Sequence, residues 1–318
     1  MAKSVFRTSA LAGALGLGMA GLSPVAAQDS AAPAVEIAPE AAVEAASKTI
    51  AADPALWLVE DEDTKIYLFG TVHMLKPGMQ WFDGPVKSAW DSADEAVLEI
   101  VPGDDQAAMV ATFQRLGTDQ TGTKLRERLD GEDRAQYEAA LTTLGIPAPA
   151  FDSFEPWLAT MNLSLMTFAK AGFDPNSGVE QILMSKAKAS AKPMTGLETV
   201  EEQLGFLDTL PMPSQITWLN ETVDTLPDAG EALDEMVGDW AAGEPEKLAE
   251  LLNEGMTDPV LREAMLTRRN ANWAKWIDAR MTKPGTVFIA VGSGHLAGDG
   301  SVQEQLKAYN LTSQRIAY

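Results

Sequence analysis

The chain contains only two histidines, and both stand at the end of the same short motif. Gly70-Thr71-Val72-His73 and Gly292-Ser293-Gly294-His295 are each a Gly-x-x-His sequence. Imidazole is the commonest metal ligand among side chains, and it also exchanges protons near neutral pH. A glycine three residues earlier permits a tight turn or a close approach of the backbone to a ligand. The paired motif therefore indicates a metal site or a site of acid–base chemistry.

Both histidines follow apolar segments that have the character of strands, and two other such segments end in carboxylates. Glu99 lies near the end of one, and Glu198 ends the other. If these strands are parallel, their carboxyl ends meet at one edge of a sheet, where α/β proteins bind ligands. Imidazole and carboxylate together suit zinc, manganese, cobalt or iron. The sequence therefore predicts metal ligands at His73, His295 and Glu99. It also predicts Glu99 and Glu198 as the catalytic carboxylates, of which the one that does not bind the metal acts as general base toward water.

The histidines also have an interpretation that involves no chemistry. A histidine after a strand is commonly a hydrogen-bonding residue of the fold, and in that case the two would lie far apart. Ser293, beside the second histidine, is assigned to turn formation, because its spacing supports no Ser-His-Asp arrangement.

The elements that position these residues follow from hydrophobic patterning. Residues 55–60 and 65–69 predict a β-hairpin, residues 85–93 a helix, and residues 96–101 a third strand. A strand, helix, strand succession with a short crossover favours parallel pairing. Further strands are predicted at 192–198 and 286–291, the latter being the last, and a helix at 302–309. Apolar residues spaced three and four apart predict helices at 106–116, 131–144, 157–171 and 179–189, with more helices up to about residue 281.

These elements predict an α/β (or α+β) fold. Its central sheet is mixed but largely parallel and is built from the N-terminal and C-terminal parts of the chain. A large helical insertion, about residues 104–281, separates the two parts.

The first residues have the order of a secretory signal peptide. Lys3 and Arg7 precede an apolar run from residue 10 to residue 22, and Val25-Ala26-Ala27 ends it. We expect cleavage after Ala27 and a periplasmic or secreted protein. Residues 28–52 are rich in Ala, Pro and Glu and predict a disordered linker, followed by a single domain over 53–318. No later segment approaches the length of a transmembrane helix, so we expect no span in the mature chain.

Charge and cysteine content exclude several classes of function. The formal net charge is -22, and such a surface repels phosphate backbones, so nucleic acid is excluded as a partner. The chain has no cysteine, which excludes disulfides and thiolate metal sites.

Several short sequences, in the same order along the chain, together resemble the TraB/GumN family, which is related to the Tiki metalloproteases. The resemblance extends from about Trp57 to the C-terminus. The matching sequences are Leu68-Phe69-Gly70-Thr71-Val72-His73, Val97-Leu98-Glu99-Ile100, Gly178-Val179-Glu180, Gly196-Leu197-Glu198-Thr199, Glu202-Gln203, Arg269-Asn270 and Val291-Gly292-Ser293-Gly294-His295-Leu296. One departure is Glu180, where the family pattern leads us to expect aspartate.

The resemblance implies a metal-dependent, peptidase-like fold with His73, His295 and Glu99 on the family's motif positions. It also implies substrate binding by Arg269 and Asn270, with the arginine gripping a substrate carboxylate through two hydrogen bonds. The alternative for Arg269 is a surface ion pair.

The sequence thus predicts an exported hydrolase that cleaves a peptide or protein substrate with the help of manganese, cobalt or zinc. The alternative is a non-catalytic periplasmic binding protein for peptide, metal or haem on the same fold.

Overall fold

The computed structural model describes residues 50–103 and 105–318, and of residues 252–255 it describes only the backbone. The predicted signal peptide and residues 28–49 of the predicted linker lie outside the described residues. A short strand, β1 (Ile50–Ala51), pairs in parallel with β4 (Met79–Gln80), and Ala52 is buried. Ordered structure is therefore already present three residues before Asp53, where the sequence predicted the domain to begin.

A six-stranded sheet forms the centre of the fold. Its strands, in chain order, are β2 (Leu56–Glu60), β3 (Thr64–Thr71), β5 (Glu95–Ile100), β6 (Met194–Glu198), β7 (Gly285–Gly292) and β8 (Gln314–Arg315). The spatial order is β6-β5-β7-β3-β2-β8, with β6, β5, β7 and β3 parallel and β2 antiparallel to both its neighbours. The predicted hairpin and the predicted mixed, largely parallel sheet are confirmed.

The sequence placed the last strand at 286–291, but β8 follows it at the edge of the sheet. This prediction was wrong because a strand of two residues is too short to show any periodicity. β8 pairs with β2 through Trp57 and Leu58, so its position depends on a partner more than 250 residues away.

Helices cover both faces of this sheet, and most of them belong to the predicted insertion. They are α1 (Gly84–Ser92), α2 (Gln106–Gly117), α3 (Leu125–Arg128), α4 (Gly131–Leu144), α5 (Pro156–Lys170), α6 (Val179–Ser190), α7 (Val200–Asp208), α8 (Met212–Thr225), α9 (Ala229–Ala241), α10 (Pro245–Gly255), α11 (Pro259–Arg262), α12 (Arg268–Met281) and α13 (Val302–Leu306). A π-helical turn, Glu263–Thr267, leads into α12. In the part of the chain described, no helix has both the length and the apolar character needed to cross a membrane.

Alternate residues of the central strands pack into two separate cores. Phe69 and Phe288 face the earlier helices of the insertion. Leu68 and Ile289 face the opposite side, which is covered by α12, the last helix of the insertion, and by α13. Because both faces are covered, β3 and β7 are continuous apolar runs. The sheet is therefore a rigid, doubly buried support for the residues at its carboxyl edge.

Candidate functional site

The two Gly-x-x-His turns lie side by side at the carboxyl edge of the sheet. β3 and β7 are neighbours, with Gly70 opposite Val291 and Thr71 opposite Gly292. The Ser293 hydroxyl donates a hydrogen bond to the Thr71 carbonyl oxygen at 2.7 Å. A Cβ atom on Gly70 would lie only 3.1 Å from Ser293 Oγ and 3.3 Å from Ser293 Cα. The first glycine of one motif thus allows the close approach of the other, and the two motifs form one wall.

His295 is completely buried and is held on both ring nitrogens. Its Nδ1 lies 2.6 Å from Asn270 Oδ1, and the Asn270 amide nitrogen donates to the Gly300 carbonyl oxygen at 2.9 Å. His295 Nε2 lies 3.2 Å from Arg269 Nη1. The imidazole also packs on Trp273, with 4.4 Å between ring centroids.

The surroundings of His295 favour the neutral imidazole. Burial lowers the pKa of His295 well below its usual value, and the positive charge of Arg269 and then the charge on His73 lower it further. The influence of His73 indicates that both histidines belong to one electrostatic environment.

His73 is paired with a carboxylate from the helical insertion. Its Nδ1 lies 2.7 Å from Glu180 Oε1, and the Thr71 hydroxyl donates to the same oxygen. Both His73 and Glu180 are buried. Burial acts to raise the pKa of Glu180, but the charge and hydrogen bond of His73 and the hydrogen bond of Thr71 outweigh it and hold the pKa below its usual value.

The start of α6 is fixed directly against the His73 turn. Val179 N donates to the Val72 carbonyl oxygen at 3.0 Å. A Cβ atom on Gly178 would lie 2.1 Å from the His73 carbonyl oxygen, so only glycine permits this approach. Glu180, in the first turn of α6, is thereby brought to His73.

Glu99 and Glu198 meet at the same edge and share one guanidinium. Glu99 Oε1 accepts from Gly292 N at 2.7 Å, and Glu99 Oε2 accepts from Arg269 Nη2 at 2.7 Å. Arg269 also donates through Nε to Glu198 Oε1 and through Nη2 to Glu198 Oε2, both at 2.9 Å. Burial raises the pKa of Glu198 above its usual value, although Arg269 opposes this shift.

The alternative of a surface ion pair for Arg269 is wrong, because its side chain has no exposed area. Arg269 forms two hydrogen bonds with the carboxylate of Glu198. The side-chain amide of Asn270 contacts His295 through its oxygen and the Gly300 carbonyl group through its nitrogen. Substrate binding by Arg269 and Asn270 stays a prediction.

Gln203 and Trp273 complete the network, and sequence reasoning gave neither of them a role. Gln203 Nε2 donates to Glu99 at 3.1 Å and to Glu198 at 3.3 Å, and Trp273 Nε1 donates to Glu198 at 3.0 Å. A capping box between Thr199 and Glu202 starts α7 immediately after β6. This Thr-x-x-Glu signature is visible in the sequence, and it places Gln203 one turn into a helix that begins at the sheet edge.

Among residues 50–103 and 105–318, no group of three or more His, Asp or Glu side chains is arranged to hold a metal ion. The predicted ligands His295 and Glu99 are close, with Nε2 3.9 Å from Oε1, but Arg269 contacts both. The turn that carries His73 lies beside the turn that carries His295, and the hydrogen bond from Ser293 to the Thr71 carbonyl oxygen joins them.

Comparison with known proteins gives one family. The model of the TraB/PrgY/gumN family matches residues 55–315. The chain is 24% identical over 259 residues to a protein of Escherichia coli (strain K12) called "Uncharacterized protein YbaP", which covers 80% of this chain and 92% of that protein. The protein of the same name from Shigella flexneri has the same identity and coverage. No solved structure matches the chain.

Proposed function

Because the chain belongs to the TraB/PrgY/gumN family, we propose that it is an exported, metal-dependent hydrolase with peptidase-like activity. His73, His295 and Glu99 are the proposed ligands of manganese, cobalt or zinc. Glu198 is the proposed general base, and Glu99 is the proposed carboxylate ligand. Export rests on the signal-like sequence of residues 1–27.

The observation that carries the proposal is the excess of buried negative charge at the site. Glu99, Glu180 and Glu198 have side chains that are 8% exposed or less. Glu99 and Glu198 share the buried guanidinium of Arg269, whereas Glu180 pairs with His73. Buried charge is costly unless it is paired. Glu99, Glu198 and the imidazoles of His73 and His295 are the types of donor that a divalent cation takes, and an ion would replace contacts that Arg269 makes with Glu99, Glu198 and His295.

The chemistry that such an ion supplies when bound is activation of water and polarisation of a carbonyl group. The residues around it have distinct tasks. Glu198, which accepts hydrogen bonds from Arg269 and Trp273, is the residue that we propose to take a proton from water. His295 Nε2 lies 3.2 Å from Arg269 Nη1, so it would hold an ion only if this contact were given up, and Nη1 would then have a proton to donate to an oxygen of a peptide substrate.

The pairing of Arg269 with both glutamates favours a second candidate. A network in which these charges already satisfy each other suits a non-catalytic binding protein for peptide, metal or haem. This candidate predicts stoichiometric binding without turnover.

A peptide library incubated with the protein and Mn²⁺, Co²⁺ or Zn²⁺ tests the proposal. We expect metal-supported cleavage, and we expect His73→Ala, His295→Ala and Glu99→Gln each to reduce its rate by about 100-fold or more. Cleavage that is unchanged in His73→Ala would reject the mechanism. Tight binding of peptide or haem, without cleavage under any metal, would favour the binding protein.

Glu95→Gln is the matched control for Glu99→Gln. Glu95 lies on the same strand, β5, but pairs with Arg280 at 2.9 Å, away from the site. We expect it to leave cleavage unchanged. Circular dichroism must show that each variant is folded, because removal of a ligand also removes stability.

A further inference from the structure

Both imidazoles are held at Nδ1 by an acceptor that comes from a helix, although the histidines themselves follow strands. We propose that Glu180 and Asn270 are positioning residues that place a proton on Nδ1 of His73 and of His295. Both Nε2 atoms are thereby left as lone-pair donors in the site. The consequence for metal binding rests on the proposed function, whereas the position of the protons does not.

For His295 the hydrogen-bond network permits one arrangement. The Asn270 amide nitrogen donates to the Gly300 carbonyl oxygen, so the atom that faces His295 is the acceptor Oδ1. His295 Nδ1 must then carry a proton. Arg269 Nη1 is a donor only, and at 3.2 Å it requires a lone pair on His295 Nε2. The neutral Nδ1–H form satisfies both contacts.

For His73 the acceptor is a carboxylate. Glu180 Oε1 lies 2.7 Å from Nδ1 and also accepts from the Thr71 hydroxyl. The Thr71 hydroxyl and His73 Nδ1 thus share one oxygen of Glu180. The contact of Gly178 with the His73 carbonyl oxygen holds the start of α6 in place. Because a carboxylate accepts and does not donate, Nδ1 carries a proton, and in the neutral ring this is the only one, so Nε2 has the lone pair.

This arrangement is the one that metal-binding histidines commonly show. Such histidines donate their second ring N–H to a carboxylate or another acceptor, and loss of the acceptor typically weakens metal binding about 10- to 100-fold. The two acceptors differ in charge, because Glu180 is a carboxylate and Asn270 a neutral amide. Removal of Glu180 should therefore change the proton position on His73, and removal of Asn270 should change it on His295.

Nitrogen-15 NMR of the ring nitrogens tests the proton positions directly, because the chain has only two histidines. His73→Ala and His295→Ala assign the two ring systems. At pH 8 we expect both histidines of the wild-type protein to be protonated at Nδ1 and unprotonated at Nε2. A spectrum in which either histidine carries its proton on Nε2 overturns the proposal without any variant.

Variants then test the assigned acceptors. Glu180→Met removes the acceptor at similar size, and we expect His73 to lose the Nδ1–H form while His295 keeps it. Glu180→Gln retains an acceptor oxygen, and we expect it to preserve the wild-type pattern. Asn270→Leu and Asn270→Asp form the matching pair for His295. An unchanged His73 spectrum in folded Glu180→Met overturns the role of Glu180.

Calorimetric titration with Mn²⁺ or Zn²⁺ provides a second readout. We expect Glu180→Met to raise the Kd about 10- to 100-fold and Glu180→Gln to stay near the wild-type value. A wild-type protein that binds neither ion but shows both Nδ1–H forms supports the positioning roles and rejects the metal-dependent function. Equal metal affinity in wild type and Glu180→Met rejects the contribution of Glu180 to binding.

Discussion

Arg269 is the residue on which the charge balance of the site depends. It is enclosed by Glu99, Glu198 and His295, and its guanidinium also lies over the Trp273 ring at 4.8 Å. Without Arg269, Glu99 and Glu198 would be buried carboxylates that keep neutral hydrogen-bond donors but lose the guanidinium. The same contacts that make Arg269 a candidate for substrate binding therefore also make it part of the stability of the fold.

We predict that Arg269→Met destabilises the protein by about 3–5 kcal/mol, because it leaves two buried carboxylates without their partner. Urea unfolding at pH 7 measures this change. The loss should be smaller at acidic pH, because burial raises the pKa of Glu198 and protonation of this carboxyl removes its unpaired charge.

Arg268→Ala is the control for this substitution. Arg268 is exposed and makes only a stacking contact with Phe206 at 5.1 Å, so its loss should cost less than about 1 kcal/mol. Equal stability of Arg269→Met and wild type would show that the buried glutamates are not ionised in the folded state.

At the level of elements, the site depends on two helices that reach the sheet edge from different parts of the chain. α6 brings Glu180 to His73, and α12 brings Arg269 and Asn270 to His295. The strands supply the histidines and Glu99, and they are rigid because both sheet faces are buried. The contact between α6 and the His73 turn is so close that a Cβ atom on Gly178 would lie 2.1 Å from the His73 carbonyl oxygen.

We predict that Gly178→Ala destabilises the fold by about 1–3 kcal/mol and separates Glu180 from His73. The backbone of Gly178 has φ -59° and ψ 150°, which alanine adopts without strain, so the cost comes from the contacts of the added Cβ with the carbonyl groups of His73 and Pro175. Thermal or urea unfolding measures the stability, and the His73 ring nitrogen signals report the separation.

Gly238→Ala is the matched control, since Gly238 lies on the exposed side of α9 with no atom near its added Cβ. It should stabilise the protein by about 0.5–1 kcal/mol, as alanine does within a helix. If Gly178→Ala were equally harmless, the close approach of α6 to the His73 turn would not exist in solution.

At the scale of the whole molecule, the chain combines a strongly acidic composition with a basic, apolar first segment. The formal net charge is -22, yet Lys3 and Arg7 are the only charged residues among the first 27. A short positive region, an apolar run and small residues at the end are the order of a cleaved export signal. The residues that the structure describes begin at Ile50.

We predict that the exported protein begins at Gln28 and is recovered from the periplasm or the medium. Intact-mass measurement of protein expressed with its native N-terminus gives the cleavage position. Replacement of Ala27 by a bulky residue should block cleavage, because the processing site requires small side chains. Exported protein that retains residues 1–27 would contradict the prediction.

The sequence by itself determined most of the strands and helices that position the site. It also determined the edge of the sheet at which the histidines and glutamates lie. Hydrophobic patterning located β3, β5 and β7 and most of the helices between them, because this pattern is local to each element, whereas β6 was inferred from the short length of its segment. The glycines and histidines of the paired motif, each directly after an apolar strand, predicted that His73 and His295 leave the same side of the sheet, and β3 and β7 are neighbours there.

Only the tertiary structure decided which side chains contact each other at that edge. Arg269 lies four residues from both Met265 and Trp273, a spacing that puts it on the apolar face of its helix, but nothing in the sequence identifies the partners of its guanidinium. Its contacts with Glu99 and Glu198 span 170 and 71 residues, and the contact of Glu180 with His73 spans 107. Such pairs form when strand order and helix packing bring distant segments together, and the local periodicity that reveals an element contains no information about its partner.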